Sequence, residues 1–368
     1  MKENDKKVYV GLSGGVDSSV TAAILKDQGY DVTGVFIDVW QPEFLECTSG
    51  ADRHDAMRVC EKLNIPFKTF DAKELYKEKV VNYMVDEYRA GRTPNPDVMC
   101  NKYVKFGLFF DWALKEGVDL VATGHYCRTN SQMSKDEREE YHLLRGKDPN
   151  KDQSYFLWAV SQKVLSRTIF PVGEMKKNEV RDLAVYYDLP TAKKKDSQGI
   201  CFLGKVDLKT FLSRYISPEP GDVLDEKGEV IGYHEGAWFY TIGQRHGFTV
   251  ENKSPDSAPF YVIRKDVSNN TLVVSTDPKK ESVSKVSLIY ENWIPEGVAS
   301  EYSEKVLGAV YRYRQPEREC RISVNENETL VYFTEPQAAV AEGQSLVLYD
   351  SGRCIGGGII ANIYSNGM

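Results

Sequence analysis

Short apolar runs alternate with longer amphipathic stretches between residues 8 and 125. Val8–Leu12, Val32–Ile37, Phe67–Phe70 and Val118–Thr123 read as strands. Between them, Ser18–Gln28 reads as a helix closed by Gly29. Asp52–Asn64 sets Ala56, Val59, Cys60 and Leu63 on one helical stripe, and Lys73–Tyr88 reads as a long helix that ends before Gly91. Strands alternating with helices predict an α/β fold, a parallel sheet with helices on both faces. Ligands of such sheets sit beyond the carboxyl ends of the strands. Residues 150–216 then read as mainly helical, in Gln153–Ser166, Asn178–Tyr187 and Leu208–Ile216. After Pro218-Glu219-Pro220-Gly221 the texture changes to short strand-like runs cut by turns. Asp222–Leu224, Phe260–Ile263, Leu272–Val274, Lys305–Tyr313, Leu330–Phe333, Ser345–Leu348 and Gly358–Ile363 are the candidates. Dense short strands predict small sheets or a barrel. The expected domains are 1–216, 217–281 and 282–368.

Composition narrows the class. The 368 residues are 41% hydrophobic and 27% charged, as in a soluble globular protein. No apolar run approaches the roughly 18 residues of a membrane span, and the N-terminus, Met1 to Lys7, has no apolar core of a secretory signal. The net charge of −7 argues against diffuse, sequence-blind binding of nucleic acid, while leaving room for local basic patches. The seven cysteines are an odd number, thinly spread, with no Cys-x-x-Cys pair. A reducing cytoplasm with one or more reactive thiols fits them better than a disulfide framework.

Three segments carry candidate chemistry. Gly11-Leu12-Ser13-Gly14-Gly15-Val16-Asp17-Ser18-Ser19 follows the first strand and opens the first helix. Paired glycines let backbone N–H groups curl around an anion, and the helix N-terminus adds partial positive charge. No Gly-Lys-Ser/Thr follows, so this is not a kinase-type phosphate loop. The second segment runs from Gly91 to Lys102, where two prolines stiffen a loop that enters a helix. Cys100 lies near that helix N-terminus, which favours the thiolate, with Asp97 three residues upstream as an acid/base partner. A buried structural cysteine behind an N-capping aspartate satisfies the same pattern. The third segment is Ala192-Lys193-Lys194-Lys195-Asp196-Ser197-Gln198-Gly199-Ile200-Cys201-Phe202. Its lysines would lower the pKa of the Cys201 thiol or attract a phosphate backbone. Taken alone, the segment reads first as a solvated charge run ahead of a core cysteine. Cys47, Cys60, Cys127, Cys320 and Cys354 read as structural.

The glycine loop resembles the pyrophosphate loop of ATP pyrophosphatases. Taken with Ala90–Asp97, Cys100-Asn101, Ala122–Tyr126, Asp148–Phe156, Thr191–Ser197, Gly199–Phe202 and Thr241–Arg245, the whole chain resembles the tRNA-specific 2-thiouridylases. The resemblance implies a Rossmann-like, parallel-sheet adenine-nucleotide-binding domain, a small central domain and a C-terminal β-barrel. It implies that ATP, with Mg2+, activates the C2 oxygen of a wobble uridine, which sulfur then replaces. Gly11, Leu12, Ser13, Gly14, Gly15, Val16, Asp17 and Ser18 would bind the ATP phosphates, with Ile37 and Gly124 around the nucleotide. Cys201 would carry the sulfur as a persulfide, Cys100 would be its partner nucleophile, and Asp97 the acid/base residue. Asn95, Pro96 and Asp97 would touch the base. His125, Lys151, Asp152, Gln153, Arg312, Tyr313 and Gln344 match positions that contact tRNA. A persulfide donor protein is the further partner implied. The chain departs from the family at Ile37, where methionine is usual, at Asp38-Val39-Trp40, usually more polar, and at Phe248–Lys253, usually glycine-rich. Two other functions share parts of this pattern: an ATP pyrophosphatase that amidates its substrate, and a non-catalytic tRNA-binding module.

Overall fold

The computed structural model describes residues 5–44, 49–133, 137–196, 207–251, 258–295, 299–303, 305–325 and 328–365. The first sheet contains β1 (Lys7–Leu12), β2 (Asp31–Asp38), β3 (Phe67–Asp71) and β4 (Leu120–Ala122). After a hairpin of β5 (Cys127–Met133) and β6 (Glu139–Arg145), the sheet is completed by β7 (Thr168–Ile169). Its order is β3-β2-β1-β4-β7, and every pairing is parallel. Central strand β1 is almost wholly apolar because both of its faces are covered. The chain leaves β1 toward β2 and β3, and later returns to the other side as β4. The crevice at the carboxyl end between β1 and β4 is therefore the topological switch point, where such sheets bind ligands.

Helix α1 (Val16–Asp27) and helix α2 (Ser49–Leu63) follow β1 and β2. Ala56, Val59, Cys60 and Leu63 are the buried residues of α2, the stripe read from the sequence. Residues 73–89 form a continuous helix, α3, and residues 96–115 another, α4. Between Cys100 and Phe109, α4 widens to i→i+5 turns. Gly107 suits that widening, since a Cβ there would come within 2.9 Å of the Lys102 carbonyl oxygen.

Two predicted helices differ. Gln153–Ser166 breaks into two single turns, Ser154–Leu157 and Gln162–Leu165. The break is capped locally, because the Ser161 hydroxyl accepts from the Val164 N–H. Helix α5 (Lys177–Tyr186) matches its expectation to within a residue at each end, while helix α6 (Leu208–Leu212) stops four residues short.

A second sheet comprises β8 (Gly221–Leu224), β9 (Val230–His234), β10 (Thr249–Val250), β11 (Tyr261–Asp266) and β12 (Thr271–Ser275), in the order β10-β9-β8-β12-β11. The last six strands are β13 (Val283–Trp293), β14 (Leu307–Val310), β15 (Arg318–Val324), β16 (Thr329–Gln337), β17 (Ser345–Asp350) and β18 (Arg353–Ser365). They run in the order β13-β16-β15-β14-β17-β18, and pairing of β13 with β18 closes them into an antiparallel barrel. Closure leaves no free edge. The β5–β6 hairpin, absent from the sequence reading, pairs through β6 with β18 and so ties the first half of the chain to the barrel.

Candidate active site

The glycine loop stands at the switch point. Gly14 has φ +68°, and a Cβ there would lie 2.3 Å from the Asp52 carbonyl oxygen, so only glycine fits beneath α2. Gly15 caps α1, and Asp17 lies in that helix's first turn. The Ser18 hydroxyl accepts from the Ser13 N–H at 3.2 Å and donates to the Gly15 carbonyl at 3.3 Å, which folds the loop on itself. Across the crevice, a Cβ on Gly124 would come within 2.7 Å of the Ser18 nitrogen, which is why backbone alone passes there. Ile37 is buried at the end of β2. A Cβ on Gly11 would be 3.8 Å from Ile37 Cδ1, from Phe109 Cε1 of α4 and from Thr123 Cγ2. The root of the loop thus meets the end of β2, the helix that carries Cys100, and the turn after β4. The loop brings serine hydroxyls and the N-terminus of α1 together, a set suited to nucleotide phosphates.

Asp17 is held from outside the loop. Its Oδ1 accepts from the Tyr126 hydroxyl and from Lys177 Nζ, both at 2.7 Å. Burial, then the charge of Asp17, push the Tyr126 hydroxyl far above its ordinary pKa, so it is a fixed donor. Lys177 also reaches Asp196 at 2.9 Å. Asp196 further receives Lys151 Nζ and Arg181 Nη2, each at 2.6 Å. Burial alone would raise the Asp196 carboxyl, but hydrogen bonds from Lys151 and Lys177 bring it down to about 2. Tyr126 and Asp196 lie in segments quoted from the sequence but were given no role there, and Lys177 and Arg181 were not singled out. Their partners lie 15 to 160 residues away, and no local pattern announces them. The lysine run is also less free than its composition implies, because Lys194 Nζ meets Asp52 and Asp55, each at 2.7 Å.

The Cys100 loop is gripped by the barrel. Gln344 donates to the Thr93 carbonyl at 2.8 Å and the Pro94 carbonyl at 3.5 Å, while the Thr93 N–H donates to the Glu342 carbonyl at 2.8 Å. The Tyr155 hydroxyl donates to the Ser345 carbonyl at 3.0 Å and accepts from Asn95 Nδ2 at 3.4 Å. Asn95 Oδ1 accepts from the Val98 N–H, capping α4, with Pro96 at its first position. Asp97 is half-buried in that first turn, and Cys100 is fully buried one turn on. Cys201 lies outside the described residues, as does Cys47. Burial drives the thiols of Cys60, Cys320 and Cys354 up to about 12 and that of Cys127 well above its ordinary value, as expected of inert structural cysteines.

The remaining expected tRNA positions fall in two groups. Tyr313 is half-buried, its ring 4.5 Å from that of Phe156. Arg312, which lies beside it, donates to the carbonyl of Ile242, in the connection between β9 and β10, and so links the barrel to the central domain. His125 and Asp152 sit inside. His125 is buried against Phe106 and Phe170, and its Nδ1 is 2.7 Å from Thr123 Oγ1. Burial lowers its pKa well below the usual value and keeps the ring neutral. Asp152 pairs with Arg145 at 2.6 Å and accepts from the Gly146 and Ser154 N–H groups. Gln153 Oε1 accepts from the Tyr126 N–H at 2.9 Å. In this structure, Lys151, Asp152 and Gln153 brace the crevice wall with their side chains.

Comparison with known proteins converges on one family. Residues 6–205 match the family described as a tRNA methyl transferase HUP domain, residues 209–276 a tRNA methyl transferase PRC-barrel domain, and residues 292–360 an aminomethyltransferase beta-barrel domain. The tRNA-specific 2-thiouridylase MnmA of Streptococcus sanguinis is 44% identical over 377 residues, covering 100% of this chain and 99% of that protein. Its counterpart from Streptococcus thermophilus is 45% identical over 371 residues, covering 100% and 98%. Among solved structures, the U34-tRNA thiolase NcsA of Methanococcus maripaludis aligns with a TM-score of 0.37 at 19% identity, covering 58% of this chain and 66% of that one. With full-length relatives at this identity and three successive domain matches, the chain belongs to the tRNA-specific 2-thiouridylase family.

Proposed function

We propose that the protein is an ATP-dependent tRNA-uridine 2-sulfurtransferase. The observation that carries this reading is the meeting at Gly11: the phosphate loop packs on the helix that bears Cys100, at the switch point of the sheet. That contact supports a reading in which activation and sulfur transfer share one crevice. The loop from Gly11 to Ser18 holds the triphosphate through N–H groups and hydroxyls, with Ile37 and Gly124 bounding the nucleotide. Magnesium would enter with the phosphates and offset their charge, and Asp17 is the carboxylate the loop contributes.

Asp97 takes up or returns the proton at the base, whose C2 oxygen attacks the α-phosphorus. A C–O–P link forms, the α–β phosphoanhydride breaks, and pyrophosphate leaves. The terminal sulfur of a Cys201 persulfide then bonds to C2, and AMP departs with the former oxygen. Attack of the Cys100 thiolate on the Cys201 sulfur breaks the S–S bond, leaves the electron pair on the transferred sulfur and joins the two cysteines. If that attack comes first, free sulfide is the nucleophile instead. Either way, an external two-electron thiol reductant resets the pair. The base leaves its stack to reach the crevice, with Asn95 and Pro96 against it and Tyr313, Arg312, Lys151 and Gln344 as the nearby tRNA-facing set. Cys201→Ser separates the two halves of the chemistry. Pyrophosphate release with tRNA and ATP should persist in that variant, while 2-thiouridine disappears. A Cys201→Ser enzyme that still thiolates tRNA from a persulfide donor overturns the carrier role.

A further inference from the structure

Asp196 holds three cations at once, at 2.6 Å from Lys151, 2.6 Å from Arg181 and 2.9 Å from Lys177. Lys177 extends the cluster to Asp17 of the phosphate loop at 2.7 Å. Lys177 and Arg181 are four residues apart in the first turns of α5, so both side chains leave one face. The N-terminus of α5 adds partial positive charge on the same side. Three cations meet Asp196 and Asp17, and Asp148 Oδ2 accepts from the Lys177 N–H at 3.0 Å, so positive charge is in excess beside the loop only when Asp196 moves away. The side chains remain between 15% and 33% exposed, so the site is open to exchange. Several cations aimed at oxygens of one small anion is the arrangement that phosphates take. Asp196 fills this position only because it belongs to the chain.

We propose that Lys177 and Arg181 form a site for inorganic pyrophosphate, the β,γ end of the nucleotide, and that the Asp196 carboxylate is its internal occupant. Incoming phosphates displace Asp196. After the α–β bond breaks, its return speeds release of the product. This inference rests on the reading that the loop binds ATP.

Calorimetry on the full chain, with inorganic pyrophosphate and AMP as separate ligands, tests it. Asp196→Asn keeps the shape and removes the competing charge, and should bind pyrophosphate roughly three- to tenfold more tightly. Lys177→Gln and Arg181→Gln should weaken pyrophosphate by about tenfold or more, with AMP affinity unchanged throughout. In the unaltered protein, pyrophosphate should protect Lys177 from an amine-reactive reagent, a readout that does not depend on any variant folding. Unchanged or weaker pyrophosphate binding by a folded Asp196→Asn, or absence of Lys177 protection, overturns the inference. If the unaltered protein binds no ATP, the nucleotide reading falls and this one with it. If ATP binds and is lost in Ser13→Ala, those negative results remove the pyrophosphate site alone.

Discussion

The phosphate loop and the Cys100 loop are built on opposite principles. The loop's own hydrogen bonds, from Ser13 to Ser18, span at most five residues. The Cys100 loop is held by Tyr155, 60 residues away, by Thr241, 148 away, and by Gln344, 251 away. The backbone of one site is a local turn between β1 and α1, with only the Asp17 carboxylate held from afar, by Tyr126 and Lys177. The other exists only when the barrel and the parallel sheet are docked. Damage to the first should therefore stay local, whereas damage to the barrel should reach the chemistry without touching the nucleotide.

The largest expected effect is the local one. Gly14→Ala faces about 1 kcal/mol or more of backbone cost from its positive φ, and its new Cβ runs into the Asp52 carbonyl. ATP binding and pyrophosphate release should both be lost, while the melting temperature falls only modestly. Equal loss of ATP binding and of cooperative unfolding would break the contrast. Gln344→Ala comes next. It removes two hydrogen bonds to the Cys100 loop, worth about 1 kcal/mol each. Thiolation rate should fall several-fold with ATP affinity unchanged, whereas an equal fall in both would show that the two sites are not separable.

A third effect concerns binding. Arg312→Ala should weaken tRNA binding and reduce its salt dependence, because a contact with RNA phosphate releases counterions. A binding constant indifferent to salt would contradict a phosphate-facing role. The smallest effect is on stability. Burial lowers the Lys265 pKa to about 8 in the folded state, against about 10.4 in an exposed lysine. Between those values the unfolded chain binds more protons, so this group makes stability rise with pH. It should raise the melting temperature slightly from pH 8 to 9.5, and Lys265→Met should abolish that increment.

Legibility followed the same divide. β1, β2 and the α2 stripe could be read because each strand is buried on both faces and the helix on one, leaving the periodicity intact. The hairpin from Cys127 to Arg145 could not. Its strands are rich in Arg, Thr, Asn, Ser and Glu, and its order comes from pairing with β18, more than 200 residues later. Gln153–Ser166 read as one helix because it is apolar. Tyr155, Leu157, Trp158, Val160 and Val164 are all buried, and that irregular spacing serves a segment enclosed on several sides. At the site, the residues of the glycine loop announced themselves. The cation cluster on Asp196 did not, since Asp17, Lys151, the α5 pair Lys177 and Arg181, and Asp196 itself come from four separate segments.

Mass spectrometry of wobble nucleosides from tRNA incubated with the protein, ATP and a persulfide donor tests the central claim most directly. The account predicts 2-thiouridine that requires ATP, Cys100 and Cys201 but not Cys60. Wobble uridine left unmodified by folded, ATP-cleaving protein with a loaded donor would contradict it.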